Sequence, residues 1–199
     1  MKHSQRKFIV FTSLIGVLTV TSALLLALAP APVSPDAASS LYAIDAPSTL
    51  DVIFETKADT TPNRWKYVYI RHTRTNAGNA LTLGQSSHGI GDHFLIGNGN
   101  GTIDGEIQIG QRWNQQLPAL PPMAGALIDK DCISISLVGD FDRHVPTPTQ
   151  LHRLSQLVRT LQSRLGIPAE NIILIDKPLS VAGSGKYFPN GAFRAELVR

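Results

Sequence analysis

Four stretches of this 199-residue chain carry residue types able to do chemistry. Gly97-Asn98-Gly99-Asn100-Gly101 has the glycine spacing of a dinucleotide loop, and Gly183-Ser184-Gly185-Lys186 echoes the end of a phosphate-binding loop. Arg71-His72 and Asp92-His93 combine imidazoles, which ligate metals, with a guanidinium suited to gripping a carboxylate through two parallel hydrogen bonds. The first two fail on context. A dinucleotide loop must open a helix, whereas Thr102 to Ile109 alternates like a strand. A phosphate loop needs a glycine five positions before its last glycine, where Ser180 stands, and Ser or Thr after its lysine, where Tyr187 stands. No Gly-x-Ser-x-Gly elbow occurs. Cys132, the single cysteine, sits inside an apolar strand with no cause to be a reactive thiolate.

The elements that must position the remaining candidates can be read from periodicity. Trp65-Lys-Tyr-Val-Tyr-Ile-Arg-His-Thr is aromatic and β-branched, so a strand is expected over 66–72. Residues 76–83 read as a weak helix containing Gly78. Asp92 to Ile96 and Thr102 to Ile109 read as a hairpin across the glycine-rich turn, and 114–128, with Pro118, Pro121 and Pro122, as a surface loop. In Cys132 to Val138 the isoleucines alternate with Cys132, Ser134 and Ser136, as in a central strand whose small residues lie under a helix. Thr147, Pro148 and Gln150 form a capping box ahead of Leu151, Leu154, Leu157, Val158, Leu161 and Leu165, and Gly166 with Pro168 ends that helix. The short apolar strand 171–175 completes a βαβ unit with parallel pairing. The expected fold class is α/β, a mixed central β-sheet flanked by helices, with ligands beyond the carboxyl ends of the strands.

The charge of +3 has a local origin. Lys2, Arg6 and Lys7 precede the run Phe8–Leu28, and from residue 8 onward 15 basic and 15 acidic side chains balance. A neutral body argues against nucleic acid as a partner. The basic region 1–7 and the uncharged run 8–28 read as a signal anchor. A long cleaved signal peptide is the less favoured alternative, because Pro30 and Pro32 follow the two best small-x-small sites. Residues 29–47 read as a Pro/Ala/Ser-rich, semi-rigid spacer, and 48–199 as one domain working outside the cytoplasm, membrane-anchored or secreted.

The ordered segments Tyr-Ile-Arg71-His72-Thr, Gly91-Asp92-His93-Phe94-Leu95-Ile96, Leu137-Val-Gly-Asp-Phe141, Pro146-Thr-Pro-Thr-Gln-Leu151 and Gly166-Ile-Pro with Asn171-Ile together resemble the zinc N-acetylmuramoyl-L-alanine amidases (type 2) and peptidoglycan recognition proteins. The resemblance covers roughly residues 65–194. It implies a domain that meets peptidoglycan or muropeptide, and an enzyme in which two His and one Cys hold zinc so that its open position acidifies the attacking water. The matching ligand positions hold Arg71, Ile175 and Phe188, and the family's assisting tyrosine matches Asp92. Lys186 alone matches a place where the family carries a catalytic Lys or Thr. A peptidoglycan-binding domain without zinc catalysis is therefore expected, its cleft made by Arg71, Asp92, Ile175, Lys186 and Phe188. Two alternatives stay open: an active amidase with a rearranged zinc site using His72, His88 or His93, and an envelope interaction protein whose cleft is closed by Arg71 with Asp92 and by Phe188 and which meets partners through the Pro-rich loop 117–123.

Overall fold

A computed structural model describes residues 16–19, 21, 38–41, 47–84, 89–120, 130–174 and 183–197. Most of the apolar run 8–28, His88, Ile175 and residues 121–123 of the Pro-rich loop lie outside these. Among the described residues no helix is long and apolar enough to cross a membrane. The chain divides into two units, Met1–Pro35 and Asp36–Arg199. In the first, residues 16–19 and 21 are helical.

Among its described residues the second unit has six strands: β1 (Ala38–Leu41), β2 (Tyr67–His72), β3 (Phe94–Ile96), β4 (Ile107–Gly110), β5 (Cys132–Leu137) and β6 (Ile172–Leu174). They form one mixed sheet in the order β1-β4-β3-β5-β2-β6. β2 runs parallel to β5 on one side and β6 on the other, and β3 and β4 pair antiparallel. Helix α1 (Gln111–Asn114) follows β4, α2 (Pro148–Leu165) joins β5 to β6, and α3 (Asn190–Leu197) ends the described chain.

Four expectations need correcting. The strands flanking α2 do not pair with each other, because β2 lies between them. Residues 38–41, expected within the spacer, form the edge strand β1 against β4, and a 3-10 helix, Pro47–Phe54, opens at the spacer's last residue. No helix forms over 76–83. The Asn79 carboxamide instead accepts the backbone N–H groups of Leu81 and Thr82 at 3.0 and 2.9 Å, a side-chain turn that competes with helix. The hairpin strands begin later than expected, at Phe94 and Ile107, and ahead of the second the Glu106 carboxylate folds back to accept from Thr102 Oγ1 and the Ile103 N–H.

Strand alternation divides the sheet into two unlike faces. Val68 and Ile70, Phe94 and Ile96, and Ile133, Ile135 and Leu137 share one face, in register across three strands, and join Leu154, Leu157, Val158 and Leu161 of α2 in the main core. The helix thus lies over the isoleucines of β5, and the serines look the other way, opposite to the expected arrangement. On that second face Leu95 and Val138 meet Ala80 and Ile90 from the 76–90 segment.

α2 is fastened at its first turn. Thr147 Oγ1 accepts from the Gln150 N–H at 3.0 Å while Gln150 Oε1 accepts from the Thr147 N–H at 3.1 Å. The Gln150 amide nitrogen also donates to the carbonyls of Ile96 and Val138, which ties the helix to the ends of β3 and β5. At the other end Gly166, with φ +68, takes the left-handed conformation that ends the helix. Thr147→Ala should lower stability by about 1–2 kcal/mol in urea unfolding at neutral pH, and Thr147→Ser should recover most of it.

Candidate functional site

Arg71 is the penultimate residue of β2 and lies on the serine face. Asp92 comes two residues before β3, beside it. The two side chains meet side-on: Arg71 Nε donates to Asp92 Oδ1 at 2.9 Å and Nη2 donates to Oδ2. Ser134 of β5 donates its hydroxyl to the same Oδ1. The Asp92 side chain is 4% exposed and that of Arg71 18%. Burial alone would raise the Asp92 carboxyl, but the charge and hydrogen bonds of Arg71, helped by Ser134, outweigh it and hold the group below the usual carboxylate range. Burial likewise opposes the charge on Arg71, and Asp92 overcomes it, so the guanidinium is held even more firmly protonated than usual. Nearby Tyr69 is pushed up to about 12, chiefly by burial.

Side-on pairing leaves part of the fork unspent. Among the described residues, Asp92 takes the Nε and Nη2 edge, and Nη1 reaches only the His72 carbonyl, at 3.5 Å. The Nη1–Nη2 edge of a fixed, permanently charged group remains for a second partner. Ser136, the register partner of Arg71, is buried with a hydroxyl that has no hydrogen-bond partner among the described residues.

The two described candidate histidines lie elsewhere, and His72 Nε2 is buried with no hydrogen-bond partner among the described residues. His72 follows Arg71 and so faces the opposite side of the sheet, where it stacks on Phe141 with ring centroids 5.5 Å apart. Its Nδ1 accepts the Phe141 N–H at 2.8 Å, and Asp140 and Asp142 lie at 4.0 and 3.8 Å from the ring nitrogens. Burial lowers its pKa despite those carboxylates. His93 is fully enclosed between Trp65 and Trp113. Its Nδ1 accepts the Ser134 N–H at 2.9 Å, so its Nε2 carries the proton and donates to the Leu117 carbonyl at 2.8 Å. Burial drives its pKa down to about 4.

Of the remaining candidates Phe188 and Lys186 are described, and neither contacts the Arg71–Asp92 pair among the described residues. Phe188, expected as an apolar wall, is 4% exposed and belongs to the main core, with Phe141 and Phe193 at ring distances of 6.4 and 5.6 Å. That packing corrects its assignment to the cleft. Lys186 is exposed, with its ammonium 5.0 Å from the Tyr187 ring and its backbone N–H on Asp142 Oδ1 at 3.2 Å. Ser134 went unrecognised in the sequence as a partner of the site. The serine alternation in β5 was the available signal. Among the described residues no group of three His, Cys, Asp or Glu is arranged to hold a metal ion.

A family model described as N-acetylmuramoyl-L-alanine amidase matches residues 61–187. No curated protein matches the sequence. Among solved structures, the chain is similar to the N-acetylmuramoyl-L-alanine amidase LysC from Clostridium intestinale, with 20% identity over 72% of this chain and 96% of that one and a TM-score of 0.50. A second similar structure is human PGRP-IBETAC in complex with glycosamyl muramyl pentapeptide, at 21% identity over 66% of this chain and 82% of that one, TM-score 0.47.

Two outcomes follow from the buried charges. Asp92→Asn leaves the Arg71 charge without its counter-ion and should cost about 3 kcal/mol, whereas Arg71→Met with Asp92→Asn removes both charges and should recover most of that loss in denaturant unfolding. The second concerns pH. Between about 6.5 and about 4 the unfolded chain protonates its histidine while folded His93 stays neutral, so stability must fall as pH falls, by about 3 kcal/mol from His93, with His72 adding in the same direction. Asp92, held low, adds its own loss only below about pH 3.9, as pH drops through its folded pKa. His93→Gln should flatten the slope between pH 6.5 and 4 in stability measurements made across that range.

Proposed function

The chain belongs to the N-acetylmuramoyl-L-alanine amidase family, and on that premise we propose that it binds the peptide-bearing region of peptidoglycan without hydrolysing it. The observation that carries this reading is the fixed Arg71–Asp92 pair. The resemblance assigns Arg71 to a zinc-ligand position, yet a guanidinium cannot coordinate a cation, and its charge repels one. Asp92 has a carboxylate, but both oxygens are engaged by Arg71 and one also by Ser134. Both nitrogens of His93 are committed, and His72 belongs to the other face of the sheet. These donors do not fit zinc.

The same residues suit recognition. Stem peptides carry carboxylates, and the unspent Nη1–Nη2 edge of Arg71 offers two parallel donors held in place from behind by Asp92. Because Arg71 is already ion-paired and partly desolvated, little ordering is left to complete when a ligand carboxylate arrives. Residues 8–28 as a membrane segment, with this domain on the outer side of the membrane, belong to the same proposal.

The test uses the full chain, purified without chelator. Elemental mass spectrometry should find zinc far below one equivalent, and co-sedimentation with purified peptidoglycan should show binding. Arg71→Met with Asp92→Asn, which keeps the site charge-neutral, should weaken that binding about tenfold, in line with about 1.5 kcal/mol for a hydrogen bond to a charged group. Stoichiometric zinc with release of stem peptide would instead establish an amidase, and wall binding indifferent to the double substitution would remove Arg71 from the binding site.

A further inference from the structure

The opposite end of the sheet holds a feature that Arg71 and Asp92 do not use. A groove of about 620 Å³ opens between the 54–65 segment, which leads into β2, and the C-terminal end of α2. Its size is within the range of ordinary ligand sites, roughly 300–1,000 Å³.

Two guanidinium groups line it, and each is held from outside. Arg64 lies over the Trp65 ring at 4.2 Å and pairs with Asp131 at 3.1 Å. Arg164 lies 5.4 Å from the centre of the Phe54 ring and pairs with Asp51 at 2.8 Å. Neither Asp131 nor Asp51 lines the groove. In these ion pairs each arginine uses one terminal nitrogen, and a guanidinium carries five N–H donors in a rigid fork. Stacking and pairing restrict Arg64, whose side chain is 23% exposed, more than Arg164, which is 53% exposed.

Glu55, Asp59 and Asn63 also line the groove. Asn63 adopts a left-handed backbone, φ +58, in a turn closed by the Arg64 N–H on the Thr61 carbonyl at 3.2 Å. Two cations and two anions make the lining neutral, so a polyanion or polycation would meet repulsion as often as attraction. Apolar carbon from Phe54, Pro62 and Leu165 is interleaved with these planar polar groups. That combination matches a molecule whose ring edges carry neighbouring hydroxyls, each both donor and acceptor, and whose ring faces present C–H groups.

We propose that this groove is a binding site for a neutral saccharide, in which Asp59, Asn63 and the two arginines hydrogen-bond the ring hydroxyls and Phe54, Pro62 and Leu165 cover a sugar face. The site would hold glycan at the end of the sheet away from Arg71, so one domain could engage carbohydrate and peptide separately.

Isothermal titration of the full chain in a detergent without a sugar headgroup tests this, with the N-acetylglucosamine tetramer, a glucose tetramer and inorganic phosphate as separate probes. At least one oligosaccharide should bind and phosphate should not. Asp59→Ala with Asn63→Gly, which removes two polar groups yet suits the left-handed backbone at 63, should weaken that binding about tenfold or more. Arg71→Met with Asp92→Asn should leave it unchanged. Absence of binding by both oligosaccharides, binding of phosphate alone, or sugar binding lost only in the Arg71 and Asp92 variant would overturn the proposal. These results are independent of whether peptidoglycan co-sediments through Arg71.

Discussion

The charge of Arg71 on the inner part of a sheet is the constraint around which one face of this protein is arranged. A guanidinium cannot shed its proton to escape a low-dielectric setting, as a lysine or histidine can, so the surroundings must answer the charge. Asp92 answers it side-on, and Ser134 in turn supplies a donor to the carboxylate. The small serines of β5 leave room for this group between strands whose other face is filled by isoleucine and leucine. Gly110 belongs to the same arrangement, since a Cβ there would lie 2.4 Å from the Asp92 carbonyl oxygen.

Strand periodicity decides which chemistry each neighbouring residue can do. Arg71 and His72 are adjacent in sequence and lie on opposite faces of β2, one with Asp92 and the other with Phe141 and the carboxylates of the 140–142 turn. The imidazole therefore cannot serve the face where the guanidinium lies unless the strand slips by a residue. Such a slip would expose Val68 and Ile70, which are fully buried, and so it is strongly opposed. His93 is constrained differently. It replaces a backbone acceptor for the Ser134 N–H, and thereby helps hold the approach to β3 against β5.

What was legible in the sequence is what local physics determines. The capping box at Thr147, the leucine stripe of α2 and the left-handed Gly166 need only neighbours within a few residues, and all three are present. The alternation of β2 separated Arg71 from His72 for the same reason. Features set by distant partners were harder to read. Nothing within Asn171–Leu174 indicates that it pairs with β2 rather than β5, and residues 38–41 become a strand only because β4 offers an edge. Phe188 matched a ligand position by order along the chain, but the Gly183–Gly185 turn packs against Phe141 and sends the phenyl ring into the core. The face covered by α2 was inverted because small residues suit either a helix or a buried polar pair. Only Asp92, 42 residues away from Ser134, distinguishes the two.

On the proposed reading, replacing a metal by a guanidinium changes what the site can do while keeping much of what it can hold. Zinc supplies both a positive charge and an open coordination position at which water is acidified. A guanidinium supplies charge and two parallel donors, but has no empty orbital and no bound water to activate. It can hold an anionic oxygen, but cannot make a nucleophile. The Asp92 partner moves the balance further toward holding, because it shortens the reach of Arg71 and orients its free edge. A mobile arginine would have more ligand geometries available and would lose more entropy in each. The fixed one accepts few, which is the behaviour expected of a recognition site.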